Sequence, residues 1–478
     1  MEDERSGSVG WLVATTVVVA AALRLFEIVR VPFEQDELYS VIEARELFDS
    51  PLLPGIEARP LYYLLQHPIL EVAPVTHVSM RLLPLLFGLA GVALTVWVAA
   101  RVFGRSAAVV TALLVTFSGW HLHISGMARY WSLVYLLAVS GFWLLLRARR
   151  HDRVPAYLGV FVVLALGIAS HLTLAFPFVG ALVALHFGRE GGRWTVRLPS
   201  RPELLGLWAP MLVFVLAAYA ALSATGNESA VRNFEGRGLI ANLRLLPAIA
   251  QWLTPAVLTM GGLGALLGWL GGRTDDARRW GWMSLAGMAS TLVLLAAAAQ
   301  VTDVYADYAA AMLPLVFVSA GGLVQLAVER LERNRNVALA AVGLVVLAGM
   351  APSTVSHLSD GNRFDFRPAF ARFERESEPG ALLLSTPIIF QRHYAPDLRG
   401  AEFRMDPAAL DTVLAAEGRF WAALPVRRYG IVEDWSGAVA EWLDDHCSLV
   451  ETFERPRFDY RVYRVALYRC GADAGGLN

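Results

Sequence analysis

The stretch Phe33-Glu34-Gln35-Asp36-Glu37-Leu38-Tyr39 sets three carboxylates within four residues just where the first long apolar segment, Trp11 to Val31, runs out. Carboxylates that close to a membrane boundary cost free energy unless something uses them. An adjacent Asp-Glu pair at the mouth of a helical bundle suits general-base work, taking a proton from an attacking hydroxyl. The plainer explanation is a solvated loop leaving a membrane, and the rest of the chain has to choose between the two. Other groups that could do chemistry recur near the ends of apolar runs. Arg81 follows Thr76-His77-Val78-Ser79; His121, His123 and Arg129 bracket a turn; Asp303, Tyr305, Asp307 and Tyr308 fill another; Arg232 and Arg237 lie in a polar loop. A guanidinium offers a planar fork of donors that fits a lipid phosphate, and the competing role for each arginine is snorkelling or a carboxylate partner. Two histidines two positions apart do not share a helical face, so the pair reads as packing with one His near a site. The metal question stays open, with a divalent cation beside Asp36 or Glu37 as the alternative. There is no Gly-rich phosphate cradle, Walker pattern or CxxC, which removes nucleotide-driven pumps and redox proteins.

The elements that position these groups are apolar. Hydrophobic residues make up 56% of the chain and charged ones 17%, mean hydropathy is +0.48, and the formal net charge is -1. That composition describes an α-helical polytopic membrane protein with no case for nucleic-acid binding. Runs long enough to span fall at about 11–30, 79–100, 106–123, 129–147, 154–170, 172–188, 204–223, 246–270, 280–300, 306–328 and 336–352, about eleven in all. The region 155–187 reads either as one broken segment or as two short helices parted near Ser170-His171. All the cationic side chains are arginine, and they gather in alternate connections: Arg101 and Arg105, Arg147 to Arg153, Arg189 to Arg201, Arg273 to Arg279, Arg330 to Arg335. By the positive-inside rule those loops are cytoplasmic, and the acidic stretch, the His121–Ser125 turn and everything after Pro352 face outside. The first outer loop, 31–78, is predicted to hold two short interfacial helices. Leu38, Val41, Ile42 and Phe48 give one face, and Leu61 to Leu70 lies along the membrane surface.

Residues 1–352 thus form a transmembrane domain and 353–478 a soluble extracytoplasmic α/β domain. In the latter, Phe366–Arg375 and Thr412–Gly418 read as helical, and Ala381–Ile389, Trp421–Leu424, Gly430–Glu433 and Tyr460–Tyr468 read as strands. Cys447 and Cys470 either form a disulfide or remain buried thiols.

The ordered pieces Asp36-Glu37, Pro60-Leu61-Tyr62-Tyr63-Leu64-Leu65-Gln66-His67, Met80-Arg81-Leu82-Leu83-Pro84, Ala100 to Gly104 and Ser125-Gly126-Met127-Ala128-Arg129 resemble the GT-C glycosyltransferases, most of all the branch of protein O-mannosyltransferases and lipid A aminoarabinose transferase. The resemblance covers about residues 30–150. It departs at Ala58-Arg59-Pro60, where the family commonly has His-Pro-Pro, and at Met127, where it has an acid. It implies a polyprenyl-phosphate-linked sugar as donor; a glycan, lipid or protein as acceptor; and a reaction on the outer face of the cytoplasmic membrane. It further implies Asp36 as the catalytic carboxylate beside Glu37. The donor phosphate then falls to Arg129 with Arg81, and substrate contacts to Tyr62, Tyr63, His67, His123, Tyr130 and Tyr305. A lipid-linked sugar transporter or flippase and a non-catalytic membrane assembly factor are the rival readings; the first would show repeated halves, which the sequence lacks.

Overall fold

Every expected span is helical in the computed structural model, which describes residues 2–48, 60–190, 193–224, 245–300, 304–331, 334–427, 430–434, 436–457 and 462–471. The first nine helices are α1 (Glu2–Arg30), α2 (Gln35–Arg45), α3 (Pro60–Val72), α4 (His77–Val102), α5 (Arg105–Phe117), α6 (Gly119–Gly126), α7 (Trp131–His151), α8 (Val154–Ser170) and α9 (Ala175–His186). Among the described residues six helices are long and apolar enough to cross a membrane, or up to eight if each of two bent pairs is one span. The expected count of eleven is larger because it also takes the shorter apolar helices α8 and α9 and the run ending at Ala224 as spans. Residues 155–187 resolve into two helices joined by a short turn at Leu172–Leu174.

The bends come from single capping residues inside apolar sequence. Ser118 adopts an extended backbone and its Oγ accepts the His121 amide at 3.2 Å, which ends α5 and restarts the chain as α6 at 57°. Thr254, at φ 61°, does the same before Pro255–Gly271 at 92°. Each hydroxyl satisfies one of the orphan amides at a new helix start, which offsets part of the cost of a break across which hydropathy does not change.

Two compact units emerge: Met1–Leu25 with Glu43–Thr354, and Phe26–Ile42 with Val355–Asn478. In the first, small residues let helices approach to backbone contact. A Cβ on Gly264 would stand 1.9 Å from the Ser319 carbonyl oxygen, and one on Gly180 2.0 Å from that of Ala286. Van der Waals packing between close backbones is what holds helices together where lipid removes the hydrophobic gain. A capping box starts α4: Thr76 Oγ1 accepts the Ser79 amide at 3.1 Å and Ser79 Oγ accepts the Thr76 amide at 2.9 Å. That pins the helix start and with it Arg81.

The second unit carries a mixed sheet of β3 (Leu383–Ser385), β4 (Gly400–Glu402), β5 (Arg419–Arg427), β7 (Cys447–Glu454) and β8 (Arg464–Gly471) in the order β4-β3-β5-β8-β7, with β6 (Gly430–Ile431) on β5; a separate hairpin, β1 (Phe187–Glu190) and β2 (Arg193–Val196), belongs to the first unit. β3 runs parallel to β4 and β5, and the remaining pairs are antiparallel. Leu384, Leu410, Phe420, Leu424, Trp442 and Leu443 form its core. The expected strand over 381–389 shortens to Leu383–Ser385, because Pro387 has no amide for the ladder and instead caps a helix, Ile388–Tyr394. Cys447 and Cys470 face each other across β7 and β8 and are joined as a disulfide. The two helices expected after the first span are present as α2 and α3. Phe48, however, lies beyond the end of α2, and Ile42 is 42% exposed, so the apolar face is Leu38 and Val41 alone.

Candidate active site

Within the second unit the Asp-Glu pair opens α2, a place where the helix dipole favours negative charge. The two carboxylates part there. Glu37 is fully buried: its Oε2 accepts the Glu34 amide at 2.9 Å and lies 3.0 Å from Arg363 Nη1. The same Arg363 nitrogen donates to the Pro32 carbonyl at 3.0 Å, so one guanidinium fastens both the loop before the helix and its first turn. Asp36, one residue earlier, is exposed. The loop is also held at Phe33, whose amide donates to the Tyr394 hydroxyl at 2.6 Å.

Arg363 sits just past a turn that its sequence dictates. Gly361 (φ 68°) and Asn362 (φ 60°) take left-handed conformations that glycine and asparagine tolerate, and a Cβ on Gly361 would come within 2.1 Å of Val31. Arg457 donates to the Asn362 amide oxygen at 2.7 Å, which turns the NH₂ end toward His357 Nδ1 at 3.0 Å. His357 Nε2 then faces Glu27 Oε1 at 2.9 Å. Glu27, His357, Asp360, Asn362 and Arg363 are all buried. None of them was picked out from the sequence. The signals were the ionisable Arg24 and Glu27 inside an apolar span and the Asp360-Gly361-Asn362 turn signature at the end of the last one.

In the first unit a second group forms around Arg129, which is 7% exposed. Its Nη1 stands 3.8 Å from Glu43 Oε2, and its guanidinium lies 5.1 Å from the centre of the Tyr130 ring. The acid missing at Met127 is thus matched by a carboxylate from α2. Tyr130 stacks on His171 at 4.8 Å, Trp131 and Tyr308 close on His171 at 4.7 and 5.2 Å, and Tyr62 meets Tyr130 at 6.4 Å and Tyr63 at 5.6 Å. Tyr62, Tyr63 and Arg81 are fully buried, whereas Tyr305 is 62% exposed with its ring 6.0 Å from Tyr308. His171 and Tyr308 complete this aromatic group; the first had been read only as a helix break.

One expectation needs correction. His121 and His123 do not bracket a turn; both are buried on α6. His121 Nδ1 takes Arg24 Nη2 at 2.7 Å, and His123 packs on Trp252 at 4.8 Å. His67 is held by the Ala44 carbonyl at 2.7 Å and packs on Phe48, contacts that brace α3 against α2. Among the described residues no three His, Cys, Asp or Glu side chains gather as a metal ion would require. Asp303, Arg232 and Arg237 lie outside the described residues.

Residues 54–219 match the family described as dolichyl-phosphate-mannose-protein mannosyltransferase. Among solved structures, ArnT from Cupriavidus metallidurans in the apo state is 14% identical with a TM-score of 0.54, and 99% of each chain is covered. The same protein bound to undecaprenyl phosphate gives 14% and 0.52 over 99% of this chain and 100% of that one. The archaeal oligosaccharyltransferase AglB from Archaeoglobus fulgidus, in complex with an inhibitory peptide and a dolichol-phosphate, gives 13% and 0.50 over 87% of this chain and 69% of its own. No curated protein matches the chain in sequence.

Proposed function

We propose that this chain, whose fold is the GT-C fold of the ArnT and protein-mannosyltransferase type, moves one sugar from a polyprenyl-phosphate-linked donor to an acceptor hydroxyl on the outer face of the cytoplasmic membrane. The undecaprenyl phosphate on ArnT and the dolichol-phosphate on AglB support that class of donor. The acceptor is a glycan, lipid or protein, and the transfer inverts the anomeric carbon.

The observation that carries the reading is the division of labour between neighbouring carboxylates. Glu37 is consumed by Arg363, and Asp36 is presented to solvent on the same turn. In the proposed step Asp36 takes the acceptor's proton as its oxygen bonds to the anomeric carbon. The bond from that carbon to the phosphate oxygen breaks, and its electron pair leaves with the lipid phosphate. Arg129, helped by Arg81, stabilises that departing charge, and the Tyr62, Tyr63, Tyr130 and Trp131 faces suit the apolar faces of a sugar ring.

Purified protein in lipid, offered a panel of radiolabelled polyprenyl-phosphate sugars with candidate acceptors, should release free polyprenyl phosphate from one of them. The Asp36→Asn protein should bind that donor without turning it over. Full turnover by Asp36→Asn would remove the base assignment, and no turnover of any donor by the parent protein would sink the reading as a whole.

A further inference from the structure

Apart from the residues assigned above, the second unit holds an open groove of about 470 Å³ lined by Arg30, Ser359, Asp365, Arg367, Pro368, Arg455 and Pro456. Its charge is lopsided, with three guanidiniums against one carboxylate. Asp365 organises two of them: Arg367 grips it with Nε at 2.7 Å and Nη2 at 2.8 Å, and Arg455 Nη2 reaches it at 2.7 Å. Arg367 Nη2 also donates to the Arg30 carbonyl at 3.3 Å, and Arg455 Nη1 to the Ser359 carbonyl at 3.0 Å. Those contacts leave Arg367 Nη1 and Arg455 Nε with N–H donors for a further acceptor. Burial alone would raise the Asp365 carboxyl; hydrogen bonds and charge from Arg367, then the charge of Arg455, hold it below its usual range. The carboxylate therefore stays ionised and the arginines stay oriented.

Position says what the acceptor is. Arg30 is the last residue of one candidate membrane span, Val9–Arg30, and Ser359 lies at the very end of another, Arg335–Asp360. The groove therefore opens beyond the apolar runs of two helices, on the headgroup side of the hydrocarbon, where lipid phosphates are met. Three guanidiniums against the single Asp365 carboxylate leave the groove with an excess of positive charge that an anion would meet. We infer that Arg30, Arg367 and Arg455 form a binding site for the phosphate of an anionic membrane lipid, separate from the proposed donor site.

Arg30 is the residue to test, because its guanidinium rests on the Phe26 ring at 4.5 Å and takes no part in the Asp365 cluster. The full chain in neutral detergent should gain thermal stability when phosphatidylglycerol is added, and much less from phosphatidylcholine or from inorganic phosphate at equal concentration. Arg30→Gln should keep the parent melting temperature without lipid and need about tenfold more phosphatidylglycerol for half the shift, with Arg30→Lys in between. An Arg455→Gln variant with a normal circular dichroism spectrum should weaken the response further. Equal phosphatidylglycerol responses in parent and Arg30→Gln, or a full response to inorganic phosphate alone, would overturn the assignment. The readout is independent of sugar transfer, so it stands or falls apart from the proposed reaction.

Discussion

Two groups of candidate residues, one in each unit, are built from different materials. Around Arg129 the partners are mainly rings: Tyr130, His171, Trp131, Tyr62 and Tyr308, with Glu43 at 3.8 Å. Around Asp36 they are charges and backbone carbonyls at hydrogen-bond distance, from Glu37–Arg363 to His357–Glu27 and Arg457–Asn362. Rings contribute area and shape without fixing a position sharply, which suits holding a sugar. Buried ion pairs fix geometry at a high desolvation cost, which suits holding one carboxylate in place. The contrast also assigns different failures to the two groups: loss of an ion pair should strike stability, and loss at the ring cluster should strike substrate use.

The largest effect should follow Arg363→Met, which strands the buried Glu37 carboxylate. Breaking a pair of this kind costs about 3–5 kcal/mol, and adding Glu37→Gln to the same protein should recover much of it. Chemical denaturation in detergent measures both; an Arg363→Met protein as stable as its parent would refute the fastening role. Next comes Asp36→Asn, which should cut the transfer rate about 10²-fold or more while costing at most about 1 kcal/mol of stability, the helix-dipole contribution of an exposed first-turn charge. A rate loss matched by a drop in melting temperature would make Asp36 structural and erase the contrast with Glu37.

At the ring cluster, Arg129→Lys keeps charge without the planar fork and Arg129→Met keeps neither. Donor KM should rise moderately in the first and severely in the second, with acceptor dependence little changed. If both instead melt early with donor kinetics intact, Arg129 serves Glu43 rather than a phosphate. The smallest effect is a pH dependence confined to the second unit. Burial lowers the His393 imidazole below its usual value, so below about pH 6.5 the unfolded chain takes up a proton that the folded one resists, and stability declines. Asp365, held low by Arg367 and Arg455, contributes stability above about pH 4 that is lost on further acidification through its folded value. His393→Gln should lessen the first decline and leave the second unchanged in a pH-resolved melting series.

How much of this was legible depended on range. Apolar runs declared the helices, because hydropathy is a local property, and Asp36-Glu37 stood out against it. The breaks at Ser118 and Thr254 were hidden, since one capping hydroxyl changes the path without changing the hydropathy, and so α6 was taken for a turn. β4 was invisible because Gly400, Ala401 and Glu402 are all exposed and carry no apolar pattern. Arg363 was marked only by the Asp360-Gly361-Asn362 turn before it, and its role exists only through a partner at the other end of the chain.

That last distance has a consequence in time. The Pro32 carbonyl and the Arg363 side chain that binds it are separated by 331 residues. At common synthesis rates of about 5–20 residues per second, roughly 15–65 s pass between the emergence of the acidic loop and that of its clasp. Throughout that interval Glu37 has been made and its permanent counter-ion has not. A nascent chain therefore cannot hold its proposed base in working order until the last span has been threaded, and a ribosome that stalls before residue 363 leaves a membrane protein with most of its helices and no set active site.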